Sequence, residues 1–206
     1  TPWYDGPSVM EYLESVEVSA PAQNRSFRMP VQWVNRPSRE FRGFAGLIAS
    51  GVISAGEKIR VLPSGMESTV EKIVTWDGDL SMAGAGRTVT LTLADEIDIS
   101  RGDVITKTDN PCQTGDQFRC RILWMDSKSM SPGREYLLKS NTQITSMTLG
   151  KLKHKIDVNT LEEIPATSLD MNEIGVCNIS LSKRIAFDAY DDDPSMGGFI
   201  VIDRIS

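Results

Sequence analysis

The chain has 206 residues, of which 40% are hydrophobic and 24% are charged, and its formal net charge at pH 7 is −6. This composition is typical of a globular domain in water, and no apolar run reaches the ~18 residues that a membrane-spanning helix needs. The negative charge argues against an extended nucleic-acid-binding surface, because such surfaces concentrate Lys and Arg. We therefore expect neither a membrane nor a nucleic-acid partner.

The first predicted element is a short helix. Ser8 and Glu11 have the spacing of a capping box. The apolar residues that follow fall on one helical face: Val9, Leu13 and Val16. Because a helix of about two turns is marginal in water, this face needs a partner. We predict that residues 1–22 are a helix and a linker, and that the partner lies before Thr1.

From Arg28 onward the dominant sequence period is two, which predicts β-strands. The clearest case is TVTLTL at residues 88–93, where three apolar side chains alternate with three threonines. Similar runs, separated by turn residues, lie at 29–34, 43–49, 58–62, 68–76 and 104–107. Six short strands close most easily into a barrel, because closure removes the sheet edges. We predict such a barrel over residues 23–110.

A second domain is predicted after TDNPCQTGD at residues 108–116, a segment rich in Asp, Asn, Pro and Gly. The strand pattern resumes with four residues on one face: Phe118, Cys120, Ile122 and Trp124. Further strands are predicted at 135–139, 142–156, 175–182 and 199–202, with a connector of about one helical turn at 166–172. We therefore predict an all-β chain of two tandem antiparallel, six-stranded, Greek-key-like barrels, the second over residues 111–206.

The sequence offers few catalytic side chains. Its only histidine, His154, shares a predicted strand face with Leu152 and Ile156, which favours a partly buried structural side chain over a general base. We find no Ser-His-Asp or Cys-His arrangement, no metal-ligand spacing and no P-loop sequence G-x-x-x-x-G-K-[ST]. We therefore predict no catalytic, cofactor-binding or metal-binding residue in this chain.

Three cysteines, Cys112, Cys120 and Cys177, are an odd number and include no C-x-x-C pair. This pattern indicates neither a disulfide framework nor a zinc site. We interpret the three side chains as reduced core thiols of a cytoplasmic protein.

Two groups of charged residues each have more than one possible role. Lys151, Lys153 and Lys155 lie on one face of a predicted strand, about 7 Å apart, where they meet an acidic partner, bind a phosphate or face solvent, with solvent favoured. The three aspartates at 191–193 favour a solvated loop over a metal site, because adjacent side chains diverge in an extended chain.

A polar loop at one end of the first predicted barrel contains Asp98 and Arg101. Loops at barrel ends are common binding sites. The residues that we predict to make interdomain or partner contacts are Asp98, Arg101, Lys151 and Lys153.

The glycine-rich stretch FRGFAGLIASGVISAGEKIRVLPSG at 41–65 resembles the second domain of the translation-factor GTPases, elongation factor Tu among them. The matching positions are Gly46, Gly51, Gly56, Glu57 and Ile59. We interpret Gly51 and Gly56 as flanking a hairpin whose turn needs positive φ. The segment DEIDISRGDVI at 95–105 resembles the closure of the same barrel.

Longer segments resemble the large, GTP-binding subunit of bacterial sulfate adenylyltransferase, or the equivalent region of a fused sulfate-activating protein, over essentially the whole chain. They are FRMPVQWVNRP, VLPSGMESTVEKIVTWDGD, ADEIDISRGDVI, DVNTLEEIPATSLDMNEIG and GGFIVID. The segment PWYDGPSVMEYLESV resembles the last helix of that subunit's GTPase domain, and FIVIDR resembles the approach to a final strand. We therefore expect the natural chain to extend beyond both Thr1 and Ser206.

In that family the enzyme, an ATP sulfurylase of sulfate assimilation and cysteine biosynthesis, makes adenosine 5′-phosphosulfate and pyrophosphate from ATP and sulfate. The small subunit performs the nucleotidyl transfer, and the large subunit couples GTP hydrolysis to it. The resemblance implies GTP and Mg²⁺ for the full-length protein, but this chain lacks the GTP-site motifs.

The resemblance thus implies two translation-factor-type barrels that transmit the GTPase state. Their implied partners are the small catalytic subunit and the protein's own GTPase domain. The chain alone is expected to be part of an enzyme yet inactive. The alternative is the tRNA-binding barrel pair of a translation-factor GTPase.

Overall fold

The computed structural model describes residues 4–16, 21–38 and 41–204. Helix α1 spans Val9–Ser15, and a 3₁₀ helix spans Pro21–Asn24. The predicted capping box is confirmed, since the backbone N–H of Glu11 donates to Ser8 Oγ and the backbone N–H of Ser8 donates to Glu11 Oε2. No residue of α1 is buried, so the described residues do not supply a partner for its apolar face.

The strands of the first sheet and its two short neighbours are β1 (Arg28–Asn35), β2 (Gly43–Leu47), β3 (Val52–Ser54), β4 (Lys58–Leu62), β5 (Glu67–Thr75), β6 (Gly78–Leu80), β7 (Met82–Gly84), β8 (Thr88–Leu93) and β9 (Val104–Lys107). The sheet order is β4-β9-β1-β2-β8-β5-β6, and β4 also pairs with β5. This last pairing closes six antiparallel strands into the predicted barrel.

The interior of this barrel follows the alternation that the sequence predicts. In β8, Val89 and Leu91 are buried while Thr88 is exposed; Thr92 is the exception, since it is also buried. Burial of these faces supplies the main driving force for closure, at about 25 cal/mol per Å² of apolar surface removed from water. The core includes Phe27, Met29, Val31, Phe44, Ile48, Ile53, Ile59, Val61, Val70, Ile73, Val89, Leu91 and Ile105.

The glycine-rich stretch is not the simple hairpin that we predict from its spacing. Gly51 and Gly56 do adopt positive φ, +71° and +86°, as expected. The strand between them, β3, pairs with β7 in a separate two-stranded sheet. An added Cβ at Gly51 would lie 2.5 Å from Phe27 Cα, so glycine is needed there for close backbone approach as well as for its φ.

The second sheet consists of β10 (Gln113–Leu123), β11 (Glu135–Ser140), β12 (Gln143–Ile156), β13 (Glu163–Ile164), β14 (Ile174–Phe187) and β15 (Ile200–Ile202). Its order is β10-β14-β12-β11-β15, with β13 paired to β12, and each of these pairings is antiparallel. The side chains of its core include Phe118, Cys120, Ile122, Trp124, Met130, Tyr136, Leu138, Met147, Leu149, Leu152, Leu169, Cys177 and Ile179. The limits 23–110 and 111–206 remain predictions.

The connector at 166–172 contains no helical turn, so that prediction is wrong. Leu169 instead exchanges backbone hydrogen bonds with Met130, which holds the segment against the loop between β10 and β11. The second short helix, α2, lies at Pro194–Gly197, after the N-cap residue Asp193. No helix in the described part of the chain is long and apolar enough to cross a membrane.

Candidate interface between the barrels

The two barrels are joined by an ion pair that water barely reaches. Arg28 lies on β1, and its side chain is only 4% exposed; Asp188 follows β14, and its side chain is 16% exposed. Arg28 Nε donates to Asp188 Oδ2 at 2.6 Å, and Nη2 donates to Oδ1 at 3.0 Å. This two-point geometry fixes the direction of both side chains, because a guanidinium and a carboxylate match only in a few orientations.

The remaining nitrogen of Arg28 also has partners. Nη1 donates to the carbonyl oxygens of Phe27 and Asn110, at 3.0 and 2.7 Å. A buried charge is tolerated only when it is paired and hydrogen-bonded. Arg28 meets both conditions with groups from the first barrel, the segment between the barrels and the second barrel, so its burial depends on their relative placement.

A second ion pair lies near the first at the edge of the interface. Arg25 Nη1 lies 3.3 Å from Asp193 Oδ1, and the same oxygen accepts hydrogen bonds from the backbone N–H and the hydroxyl of Ser195. Asp193 is therefore buried as the cap of α2. The predicted solvated loop at 191–193 is wrong for this residue, although Asp191 and Asp192 are exposed.

Apolar side chains from both barrels fill the space beside Arg28: Ala49, Leu62, Val104, Cys112, Ala186 and Met196. Burial raises the pKa of the Cys112 thiol to about 12, while the neighbouring charges of Arg28 and Asp188 act in opposite directions. A thiol with this pKa is not a nucleophile at neutral pH. Cys112 is thus a packing residue of the interface, which confirms its interpretation as a core thiol.

A cleft of about 540 Å³ opens next to the interface, between the 3₁₀ helix, the first barrel and the β11–β12 turn. Its walls carry no charged side chain; they include Gln23, Leu47, Ala85, Asn141 and Thr142. The cleft therefore offers neither a general acid or base nor a cation for a phosphate group. In the part of the chain described, no group of three or more His, Cys, Asp or Glu side chains is placed to hold a metal ion.

The structure places Asp98 and Arg101 at the end of the first barrel. Asp98 is 90% exposed and pairs with Arg42 of its own barrel at 3.3 Å. Arg101 is exposed in the turn before β9. The next residue, Gly102, lies against the second barrel, since an added Cβ would be 2.6 Å from Gln143 Cγ. The loop therefore abuts the other barrel through its backbone.

His154 does not share a face with Leu152, contrary to the prediction from period two. The β12–β14 register shifts between these residues, so that Leu152 pairs with Cys177 and His154 with Val176. Because Cys177 and Val176 are successive residues of β14, their side chains point to opposite faces. The side chain of His154 is 14% exposed and its Nδ1 lies 3.3 Å from Glu163 Oε2, as a partly buried structural histidine should be.

Lys151 and Lys153 are exposed on β12, but Lys155 is not part of the same open face. Lys155 pairs with Glu173, which raises the pKa of Lys155 and lowers that of Glu173. The prediction of three equivalent lysines is wrong for this residue.

Two exposed arginines of β10, Arg119 and Arg121, lie across β14 from the two lysines, with Asn178 of β14 opposite Arg119. We call Arg119, Arg121, Lys151 and Lys153 the basic face. Within the described ranges, none of its members takes part in an ion pair.

Known proteins resemble this chain over its whole length. Sulfate adenylyltransferase subunit 1 of Aliivibrio fischeri (strain MJ11) is 47% identical over 204 residues, which is 99% of this chain and 43% of that protein. The corresponding protein of Teredinibacter turnerae is 44% identical over 206 residues, 100% of this chain and 44% of that protein. The chain is homologous to sulfate adenylyltransferase subunit 1.

Other comparisons agree with this homology. The bifunctional enzyme NodQ of Rhizobium sp. (strain BR816) is 46% identical over 206 residues, 100% of this chain and 32% of that protein. The family model described as GTP-eEF1A C-terminal domain-like matches residues 117–206. The chain thus spans less than half of the length of the subunit 1 proteins and about a third of NodQ.

Solved structures show the fold of this subunit 1 homologue. Sup35 complexed with GDP superposes with a TM-score of 0.82 at 24% identity, covering 100% of this chain and 51% of that one. Translation elongation factor SelB from Methanococcus maripaludis gives a TM-score of 0.69 at 19% identity, covering 94% and 44%. The predicted pair of translation-factor-type barrels is confirmed, and the identity to subunit 1 is higher than the identity to the translation factors.

The residues that join the barrels were not predicted. Arg28 and Asp188 are 160 positions apart, and neither belongs to a recognisable motif. The one local signal was the position of Arg28 directly before the apolar run Met29-Pro30-Val31.

Proposed function

We propose that this chain is the non-catalytic barrel pair of a sulfate adenylyltransferase GTPase subunit, in an enzyme that makes adenosine 5′-phosphosulfate and pyrophosphate from ATP and sulfate. The barrels act as one rigid part that carries nucleotide-dependent movement of the GTPase segment to the small catalytic subunit. The observation that carries this proposal is the buried Arg28–Asp188 ion pair, which holds the barrels in one orientation.

Rigid coupling suits this role because packed interfaces move between discrete arrangements rather than bending continuously. A rotation of the GTPase segment against one barrel then reaches the other barrel undiminished. The residues of this chain do not fit a GTP phosphate site, since the P-loop sequence is missing and the interbarrel cleft is uncharged. In our proposal GTP and Mg²⁺ bind outside this chain, in the full-length protein.

The purified chain is expected to co-elute with the small catalytic subunit in gel filtration and to hydrolyse no GTP. Turnover of GTP by the chain alone, above a heat-inactivated control, would contradict the proposal. A salt-sensitive gel shift with aminoacyl-tRNA, in the absence of any binding to the small subunit, would favour the translation-factor alternative instead.

We also propose that the basic face contacts an acidic surface of the small catalytic subunit, and that Asp98 and Arg101 contact the GTPase segment. The double variant Lys151→Glu/Lys153→Glu is expected to weaken binding of the small subunit by about tenfold or more at low salt, because like charges then face each other. The loss should shrink at high ionic strength. Surface plasmon resonance at two salt concentrations measures both effects.

A matched control is the double variant Lys58→Glu/Lys72→Glu, which makes the same change of charge at exposed positions of the first barrel. It should retain binding within about twofold if the contact is specific to the basic face. Equal losses in both double variants would show that only net charge matters and would contradict the assignment of this face.

A further inference from the structure

Two of the three cysteines meet in the core of the second barrel, between the edge strand β10 and its neighbour β14. Cys120 of β10 and Cys177 of β14 are 57 positions apart in sequence, yet they are direct partners in the antiparallel register. Their Sγ atoms lie 3.8 Å apart. The register is regular from Gln117 to Leu123, so this pairing is part of an undistorted stretch of the sheet.

We propose that Cys120 and Cys177 are a site of reversible oxidative modification, at which a cross-strand disulfide forms between β10 and β14. Directly opposed residues of antiparallel strands have Cα atoms about 4.5 or 5.5 Å apart, and disulfides span about 4.4–6.8 Å. The backbone is therefore already at bonding distance. Only the two sulfur atoms must approach, from 3.8 Å to about 2.05 Å, which rotation about the Cα–Cβ bonds can supply.

The two thiols differ in their access to solvent. Cys120 is partly exposed, whereas Cys177 is completely buried, so an oxidant such as hydrogen peroxide reaches Cys120 first. The Cys120 thiolate attacks one peroxide oxygen, the O–O bond breaks, and hydroxide leaves and takes up a proton. The Cys177 thiolate then attacks the resulting sulfenic sulfur, the S–O bond breaks, and a second water leaves. Two thiols are oxidised to one disulfide and one peroxide is reduced to two waters.

The shared hydrogen bond between the thiols and the burial of Cys120 both influence the rate of this reaction. The hydrogen bond raises the pKa of Cys120, as burial does, and lowers the pKa of Cys177. The thiolate of Cys120 is consequently scarce at neutral pH, so the first step is slow. As long as the pH stays below the pKa of Cys120, each increase of one pH unit raises its thiolate fraction about tenfold. The rate of disulfide formation should therefore rise by about tenfold per unit between pH 7 and pH 9.

Cys112 provides an internal control. It is buried in the interface between the barrels, in a different cluster from the other two cysteines. Its thiol has a pKa of about 12 and should remain reduced under the same conditions. Unfolding would expose all three thiols, so Cys112 would be oxidised as well. Oxidation at the proposed site leaves Cys112 reduced.

The full chain is to be treated with millimolar hydrogen peroxide at pH 8.5, denatured, alkylated and analysed by intact mass and peptide mapping. The expected result is a loss of 2 Da, one alkylated cysteine out of three, a linked peptide pair containing Cys120 and Cys177, and full reversal by dithiothreitol. The Cys112→Ser variant should behave like the unaltered chain. The Cys120→Ser variant should show no loss of 2 Da.

Three outcomes would overturn the proposal: a disulfide that contains Cys112, a product confined to Cys120 sulfinic acid, or three alkylated cysteines after prolonged treatment. If Cys120→Ser does not fold, the peptide map of the unaltered chain still shows whether Cys120 and Cys177 form the disulfide. Phenylarsine oxide, which bridges only neighbouring thiols, gives a second readout without any oxidation step. It should add one arsenic per chain and block alkylation of the same two cysteines.

Discussion

The variant Asp188→Asn is expected to unfold about 3–5 kcal/mol more easily than the unaltered chain, because it leaves the guanidinium of Arg28 buried without its counter-charge. The side chain of Arg28 is 4% exposed, so water cannot replace the lost carboxylate. Nη1 keeps its carbonyl partners, but only one of the two bonds to residue 188 can remain, because the amide nitrogen of asparagine cannot accept a hydrogen bond, and that bond no longer has a charged acceptor. The effect should be among the largest that one conservative polar substitution produces here.

Urea denaturation followed by tryptophan fluorescence and by circular dichroism measures this loss. The matched control is Asp98→Asn, which breaks the ion pair with Arg42 at 3.3 Å. The side chain of Asp98 is 90% exposed, so this control should lose less than about 0.5 kcal/mol. Similar losses in the free energy of unfolding of both variants would show that the buried Arg28–Asp188 pair contributes no more to stability than an exposed pair.

The double variant Arg28→Met/Asp188→Leu separates charge from packing. It removes both charges and leaves apolar side chains of similar length beside the cluster of Leu62, Val104 and Met196. Replacement of a buried ion pair by apolar residues is often nearly neutral for stability. The double variant should therefore be more stable than Asp188→Asn alone. In the full-length enzyme, however, we expect it to weaken the coupling between GTP hydrolysis and adenylyl transfer, since the fixed orientation is lost.

The local elements of this fold could be read from the sequence because their signals are local. The capping box at Ser8 and the alternation in residues 88–93 each depend on neighbours a few positions apart, and both predictions are confirmed. The positive φ values of Gly51 and Gly56 are likewise properties of single residues. What the sequence could not show was which strand β3 would join, because β7 lies about 30 positions further on.

The faces of β12 show a second reason why some predictions from the sequence are wrong. Period two holds only while the register is regular, and a single extra residue moves all later side chains to the other face. The shifts near Lys153 separate His154 from Leu152 and turn Lys155 towards Glu173. Nothing in the local composition marks these bulges. The charged residues of the interface were missed for a related reason, since their partners lie in the other barrel.

Gly51→Ala is the second substitution with a large expected effect, a loss of about 3–5 kcal/mol in the free energy of unfolding. Two costs add at this position. Alanine at a φ of +71° is disfavoured by about 1–2 kcal/mol. Its Cβ would also lie 2.5 Å from both Cα and N of Phe27, and overlap with backbone atoms cannot be relieved by a side-chain rotation.

Gly56→Ala is the matched control for the second cost. Gly56 has a φ of +86°, close to that of Gly51, but an added Cβ there meets no atom within 4 Å. The control should lose only about 1–2 kcal/mol, so the difference between the two variants measures the overlap with Phe27. Thermal and urea denaturation of both variants provide the comparison. Equal losses in the free energy of unfolding of the two variants would mean that the backbone at Phe27 moves away from the added Cβ without a cost in stability.

The overlap between the Cβ of Gly51→Ala and the backbone of Phe27 should also change the interface between the barrels. Arg28 follows Phe27 directly, and its backbone N–H and C=O are bonded to Ser50 and Ala49, the residues before Gly51. A shift of Phe27 would therefore displace the guanidinium from Asp188. Residues that share a displaced contact show non-additive effects on stability. In a double-mutant cycle, Gly51→Ala and Asp188→Asn together should cost less than the sum of the two, whereas Gly56→Ala and Asp188→Asn should be additive.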